Sequence, residues 1–304
     1  MVLQNIIYNN SPIFVQNILC TIRGYKEKKL RMSGAFWKYF DFLQESQWYS
    51  QDEIDNYQND HLGNLINYVY NYVPYYKSVM TSMKLTPKDI KTKEDLMKLP
   101  ILTKEDVRTN YNQLISTAHL NDSILKGHTS GSTGKSLNFL ITKDAIRYRW
   151  AMWFRHKARF GIMPNDPYAT FTGLPAIPLN QTKPPYWREN KALRQTVFTM
   201  HHITKDKTSS IVNRLNEGGF VYYSGYPSII YSLACNIVEC NLEIVNPPKV
   251  VFTGAETLLS TQKQLISTVF KARVTDQYGF SEGCGNASRC EENLFHEDFE
   301  YGIL

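Results

Sequence analysis

The residues best suited to chemistry fall in a few short polar segments. His128 to Phe139 reads HTSGSTGKSLNF. It packs the hydroxyls of Thr129, Ser130, Ser132 and Thr133 around Gly131 and Gly134 and closes on Lys135. Glycines let backbone N–H groups turn toward an anion, hydroxyls donate further hydrogen bonds, and the lysine adds charge. By residue type this is a phosphate cradle. Its end, Gly134-Lys135-Ser136, fits a Walker A loop, but Thr129 stands where that pattern needs its first glycine. A Walker loop also opens a helix, whereas SLNFLIT alternates as a strand does. The Walker reading fails on both counts. TGAE (253–256) and YGFSE (278–282) are further places where glycine and carboxylate interrupt apolar runs.

Other constellations compete for attention. Cys284, Cys290 and His296 lie within thirteen residues and could ligate Zn²⁺, although their spacing matches no standard zinc motif and a fourth ligand is not evident. Reduced, unliganded cysteines are the plainer reading. His201 and His202 invite a catalytic role, but adjacent histidines are more often structural. Tyr222, Tyr223, Tyr226 and Pro227, together with FTGLPAIP (171–178), are candidate walls for a substrate pocket, with Tyr223 and Tyr226 taken as the substrate-contacting residues.

These segments must be positioned by the elements around them. In the last third, FVYYSG (220–225), KVVFTG (249–254) and ARVTDQYG (272–279) read as strands, separated by helical stretches at 227–240 and 257–270. Strand and helix alternate as in a parallel sheet with crossover helices, where ligands gather beyond the carboxyl ends of the strands. SGYP, TGAE and YGFSE should therefore share one rim. The cradle sits between two short strand-like runs. It is followed by a helix over KDAIRYRWAMWFRHKARF, with Ile146, Trp150, Trp153 and Phe154 on one face and Arg147, Arg155 and Lys157 on others. Interleaved basic and aromatic residues can mean nucleic-acid binding, but an amphipathic helix with a solvated face explains them more simply. Residues 1–120 form a helical region, with Leu62, Leu65, Ile66, Val69 and Val73 at helical spacing ahead of Pro74. Thr103 and Asp106 are placed as a capping box. Residues 121–304 carry the α/β portion, which includes the phosphate-cradle loop.

Composition sets the outer bounds. The 304 residues are 42% hydrophobic and 20% charged, which excludes disorder and low complexity. Lys and Arg number 34 against 28 Asp and Glu, a net charge of +6 that suits an anionic small molecule but is too diffuse to argue for nucleic acid. Five cysteines in a long chain fit a reducing cytoplasm better than a disulfide scaffold. No apolar run is long enough for a transmembrane helix. Asn5, Asn9, Asn10 and Gln16 break the N-terminal stretch and its basic residues follow rather than precede it, so it reads as a sticky helical lead-in and not a signal peptide.

TSGSTGKS, TGAE and YGFSE, in that order, resemble motifs of the adenylate-forming superfamily of acyl-CoA synthetases and related ligases. SPIFVQNILCTIRGY, LINYVYNYVPYYKSV and LPILTKEDVR resemble its phenylacetate–CoA ligase-like branch, which includes CapK-type proteins of surface-polysaccharide clusters. The resemblance covers nearly the whole chain. It implies the large-domain fold of an adenylate-forming enzyme and an AMP-forming ligase that joins ATP and a small carboxylic acid as an acyl adenylate, with coenzyme A as one acceptor.

The resemblance also implies roles. Residues 129–135 would hold the β- and γ-phosphates, with Lys135 as a mobile catalytic cation. Gly254, Ala255 and Glu256 would line adenine, Tyr278 would stack on it, and Gly279 would be a further cofactor-binding residue. Ser281 replaces the usual threonine and keeps a hydroxyl for phosphate; Glu282 would bind Mg²⁺, a hard ion that prefers carboxylate oxygen. For Glu256, support of a helix dipole remains an alternative. The family continues past YGFSE into a small domain with a catalytic lysine, which the 304 residues lack. The chain thus reads as a fragment or split gene, with that domain supplied in cis or in trans. A homodimer, and a degenerate non-catalytic binding module, stay open.

Overall fold

A computed structural model describes residues 7–119, 124–129 and 136–304. In chain order the helices are α1 (Ile13–Arg31), α2 (Phe36–Ser46), α3 (Gln51–Tyr72), α4 (Pro74–Ser82), α5 (Lys104–Thr109), α6 (Lys143–Ala158), α7 (Lys205–Glu217), α8 (Pro227–Glu239) and α9 (Ser260–Phe270). The strands are β1 (Ile124–His128), β2 (Asn138–Thr142), β3 (Tyr168–Thr172), β4 (Trp187–Asn190), β5 (Gln195–Thr199), β6 (Tyr222–Gly225), β7 (Val250–Thr253), β8 (Arg273–Gly279), β9 (Asn286–Arg289) and β10 (Phe295–Glu297). They fall into two compact units, neither of them one continuous stretch. The first joins Met1–Ser33, Trp153–Tyr278 and Ala287–His296; the second joins Gly34–Met152, Gly279–Asn286 and Glu297–Leu304.

The first unit carries a sheet in the order β10-β9-β8-β7-β6-β3-β5-β4. β5, β3, β6, β7 and β8 are parallel neighbours, and β4 closes one edge antiparallel to β5. The crossovers from β5 to β8 are α7, α8 and α9, as the alternation of elements predicts. Parallel strands are covered on both faces, so side chains of both parities are buried. On one face Tyr223 and Val251 join Ile211, Leu215, Ile230, Leu233 and Phe270 in the main core. On the other, Tyr222, Val250 and Phe252 pack with Ile162.

The basic residues at the C-terminal end of α6 do not lie on a solvated face, contrary to the sequence expectation. Arg155 and His156 are 1% and 2% exposed. The ring Nε2 of His156 lies 3.3 Å from Thr275 Oγ1 and 3.2 Å from the Arg289 carbonyl. Lys157 Nζ sits over four rings, 4.8 Å from the centroid of Tyr222, 4.9 Å from Phe154, 5.8 Å from Phe252 and 5.9 Å from Tyr168. These three side chains are taken up by the protein itself.

In the second unit β1 and β2 form an antiparallel hairpin with Ile124 opposite Thr142 and His128 opposite Asn138. Leu62 and Ile66 of α3 pack with Met80 and Ile90, while Leu65 points outward at 55% exposure. Pro74 does more than stop α3: it opens α4 at the first helical position, where its missing N–H costs nothing. The capping box is present, with the Thr103 N–H donating to Asp106 Oδ2 (2.9 Å) and the Asp106 N–H to Thr103 Oγ1 (3.2 Å).

Burial, with repulsion from Arg31 second, pushes the Lys157 ammonium down from 10.5 to about 8. Between those values the unfolded chain holds a proton that the folded chain has released, so stability rises with pH across this window. The stability of wild type relative to Lys157→Met, from denaturant titrations, should improve as pH goes from 8 toward 10.5. A difference that stays flat or falls would show that the aromatic faces hold the charge against desolvation.

Candidate active site

Parallel pairing sets the rim. Gly225 aligns with Phe171 on one side and Thr253 on the other, and Thr253 aligns with Asp276. β3, β6, β7 and β8 therefore deliver Gly173, Tyr226, Gly254 and Tyr278 beyond the same ends. Each is in the first unit, so these four residues share the rim that the sequence predicts, while Gly279 to Glu282 belong to the second unit. A side chain at Gly173 would lie 3.5 Å from Met200 Sδ and 3.9 Å from Tyr226 Cε2, so three crossings meet there. Met200, on the short helical turn after β5, carries no chemical signature in the sequence and only the strand order reveals it.

The segment after β7 is conformationally specific. Ala255 holds φ +65°, in the left-handed region that non-glycine residues seldom occupy. Strain of this kind persists where the surroundings over-determine it, often at binding sites. It turns Glu256 toward helix α8, where its Oε2 accepts the N–H of Ser228 at 3.2 Å. α8 begins with Tyr226, whose side chain makes no cap, and with Pro227. Glu256 thus satisfies one of the open N–H groups and places negative charge at the positive end of that helix. The dipole alternative is realised, on the neighbouring helix rather than on its own.

Tyr278, near the end of β8, is 53% exposed. Two residues earlier, Asp276 accepts from Arg289 Nε at 2.6 Å, and the Arg289 guanidinium lies 4.0 Å from the Phe295 ring centroid. This largely buried ion pair ties β8 to β9 behind the rim.

Tyr223 does not line a pocket. It is 0% exposed, between Phe171, Phe220 and Phe270 at 5.5 to 6.2 Å, and its buried hydroxyl has no hydrogen-bond partner among the described residues. Tyr226, half-buried, remains on the rim. His202 is fully buried beside Thr199 Oγ1, 3.1 Å from Nδ1, and stacks on Tyr186; burial, then Lys207 and Arg188, lowers its pKa. It serves the core, while His201 is exposed.

In the second unit, Thr129 closes the base of the hairpin loop. Its N–H donates to the Leu137 carbonyl (2.9 Å), its Oγ1 accepts the Leu137 N–H (2.9 Å), and its carbonyl accepts from Ser136 Oγ (2.6 Å). Ser130, Gly131, Ser132, Thr133, Gly134 and Lys135 lie outside the described residues. The segment carrying Ser281 and Glu282 is held by Arg149, which donates to the Ser281 carbonyl at 3.1 Å. Gly279 lies so close to Asn286 that a Cβ would stand 2.6 Å from its Oδ1 and displace that side chain. Ser281 is exposed and Glu282 half-buried. Burial, with the Glu282 charge second, pushes the Cys284 thiol up.

Among the described residues no three His, Cys, Asp or Glu side chains gather as a metal site. Cys284, Cys290 and His296 are therefore not assembled for zinc. The remaining metal candidate is Glu282, whose hard oxygen donors suit Mg²⁺.

No family model matches the chain. CapK of Staphylococcus aureus is 28% identical over 300 residues, covering 99% of this chain and 65% of CapK. Phenylacetate–coenzyme A ligase of Thermus thermophilus is 26% identical over 129 residues, 40% of this chain and 29% of that enzyme. Among solved structures, 2-hydroxyisobutyryl-CoA ligase with an acyl-AMP in its postadenylation state aligns with TM-score 0.57 at 18% identity, over 79% of this chain and 52% of that one. Its open form with acyl-AMP and CoA aligns with TM-score 0.58 at 18% identity, over 79% and 57%. The chain thus spans less than two thirds of the length of these relatives. The sequence similarity to CapK runs along nearly the whole chain, and the fold matches that of 2-hydroxyisobutyryl-CoA ligase over 79% of it.

Removing the cap on α8 should be measurable. Glu256→Ala is expected to cost about 1 kcal/mol in denaturant unfolding, and Glu256→Gln less, since the amide oxygen still accepts. No loss in Glu256→Ala would detach this carboxylate from helix capping.

Proposed function

We propose that this chain is the nucleotide-binding part of an ATP-dependent, AMP-forming ligase that activates a small carboxylic acid as its acyl adenylate. The observation that carries the reading is the rim: parallel strand ends bring a half-exposed aromatic ring, Tyr278, to the same edge as the Gly254-Ala255-Glu256 turn. A flat base needs such a face to stack on and a small-residue turn to approach. The fold shared with 2-hydroxyisobutyryl-CoA ligase, whose structures hold acyl-AMP and CoA, supports adenylate and thiol-acceptor chemistry.

The physical problem is repulsion, because a carboxylate must attack an α-phosphate that is itself anionic. Residues 129–135 would receive the polyphosphate, with backbone N–H groups, hydroxyls and Lys135 spreading its charge. Glu282 would hold Mg²⁺, which when bound neutralises phosphate charge and orients the leaving pyrophosphate. Arg149 keeps the carbonyl of Ser281 fixed, so the Ser281 hydroxyl and Glu282 carboxylate are presented from a pinned segment. Gly173, Met200 and Tyr226 are the proposed walls for the acid. Coenzyme A or another nucleophile would take the acyl group. Surface-polysaccharide assembly on the cytoplasmic side is the setting that the CapK-type resemblance implies.

Calorimetric titration of MgATP tests the site. Lys135→Ala and Glu282→Ala should each weaken binding at least about ten-fold, the scale of one lost charge-assisted contact. Tyr278→Leu should weaken it by a similar factor of roughly ten while Tyr278→Phe keeps it, because the ring and not the hydroxyl does the stacking. A folded wild type without saturable binding, or variants indistinguishable from it, would contradict the proposal.

A further inference from the structure

Helix α1 is amphipathic the wrong way round for a soluble surface helix. The side it turns to its own unit is polar. Gln16 Oε1 accepts from Arg188 Nε (2.6 Å), Asn17 Oδ1 from the Glu189 N–H (3.0 Å), and Thr21 Oγ1 from the Lys191 N–H (3.2 Å). Further along, Lys28 Nζ donates to Asn165 Oδ1 at 3.0 Å. At Gly24 a Cβ would collide with Asn190 Oδ1, so the helix lies directly on β4 and its end.

The opposite side is apolar. Phe14, Ile18, Ile22 and Tyr25 recur at four- and three-residue intervals, one stripe along a helix of about 3.6 residues per turn. They are 65%, 53%, 48% and 64% exposed, and Leu19 beside them is also exposed. Arg23, Lys26 and Lys29 share this outward half and are exposed too. The helix has a single acidic residue, Glu27, already paired with Arg23 (2.9 Å) and Arg31 (3.0 Å). An apolar stripe bordered by polar contacts on one side and by exposed cations on the other does not arise from solvation or from packing within the unit.

We propose that α1 docks the protein onto an anionic phospholipid surface, with Phe14, Ile18, Ile22 and Tyr25 entering the headgroup–acyl boundary and Lys26 and Lys29 facing lipid phosphates. The charge pattern selects lipid over a second copy: pairing two α1 helices would set cations against cations with no free carboxylate to receive them. A membrane surface satisfies both halves of the pattern, apolar depth and anionic headgroups. The assignment is independent of the ligase reading, since no residue of the rim takes part.

Sedimentation of the full chain with vesicles tests it. Wild type should bind vesicles of phosphatidylcholine with about 30 mol% phosphatidylglycerol, and at least about ten-fold less to pure phosphatidylcholine or in about 0.5 M salt. Ile18→Asp with Ile22→Asp, and separately Lys26→Glu with Lys29→Glu, should each reduce binding by about ten-fold or more. All four positions are exposed, and circular dichroism melts confirm folding. Failure of wild type to bind the anionic vesicles overturns the proposal, as does unchanged binding in both variants. Ultracentrifugation covers the rival occupant: a dimer that Ile18→Asp with Ile22→Asp converts to monomer, without vesicle binding by wild type, assigns the face to a second copy.

Discussion

Five strands, β5, β3, β6, β7 and β8, hydrogen-bond in parallel, and parallel neighbours cannot be joined by a tight turn. Each must hand the chain to a crossover that returns it to the starting edge. Strand ends therefore accumulate on one side and strand starts on the other. The apolar interiors of β6, β7 and β8 build the two cores, and the polar and glycine-bearing residues are driven to the exits. The candidate site is a by-product of that direction rule, and the chemistry of the rim is the chemistry of whatever the sequence places just past the last buried residue.

The opposite side of the sheet has its own solution. Tyr168 and Tyr222 begin their strands stacked 4.8 Å apart, and α6 lays Lys157 against them. The lateral edge is solved differently again. β4 is an exposed edge unless something covers it, and α1 does so with the Asn17 amide and the Thr21 hydroxyl, which accept the backbone N–H groups of Glu189 and Lys191 as a strand partner would. Spending the polar face of α1 on this task is what leaves its apolar face outside. One topological need, closing a sheet edge, thus produces the surface assigned to lipid.

Much of this was legible in the sequence because runs of apolar residues bounded by glycine and proline report burial directly. The strands ending at Gly225, Thr253 and Gly279 and the helices between them follow from that pattern. The burial of Tyr223 is not legible in the same way: alternation distinguishes core from solvent only where one face of a sheet is wet, and here Tyr222 and Tyr223 are both buried. The burial of Lys157 is not legible because a buried cation cannot be told from a solvated one without its aromatic partners, which come from β3, β6 and β7. Glu256 as the cap of α8 depends on a contact across 28 residues, which no local rule supplies. Cys284, Cys290 and His296 are close in sequence but a strand and its turn intervene.

The central claim is that adenine sits on the rim made by the ends of β7 and β8. Photoaffinity labelling with azido-ATP and Mg²⁺, followed by peptide mapping, addresses it most directly. The account predicts label on peptides containing Gly254 to Glu256 or Tyr278, suppressed by excess unlabelled ATP. Competable label confined to any other part of the chain would place the nucleotide elsewhere and contradict it.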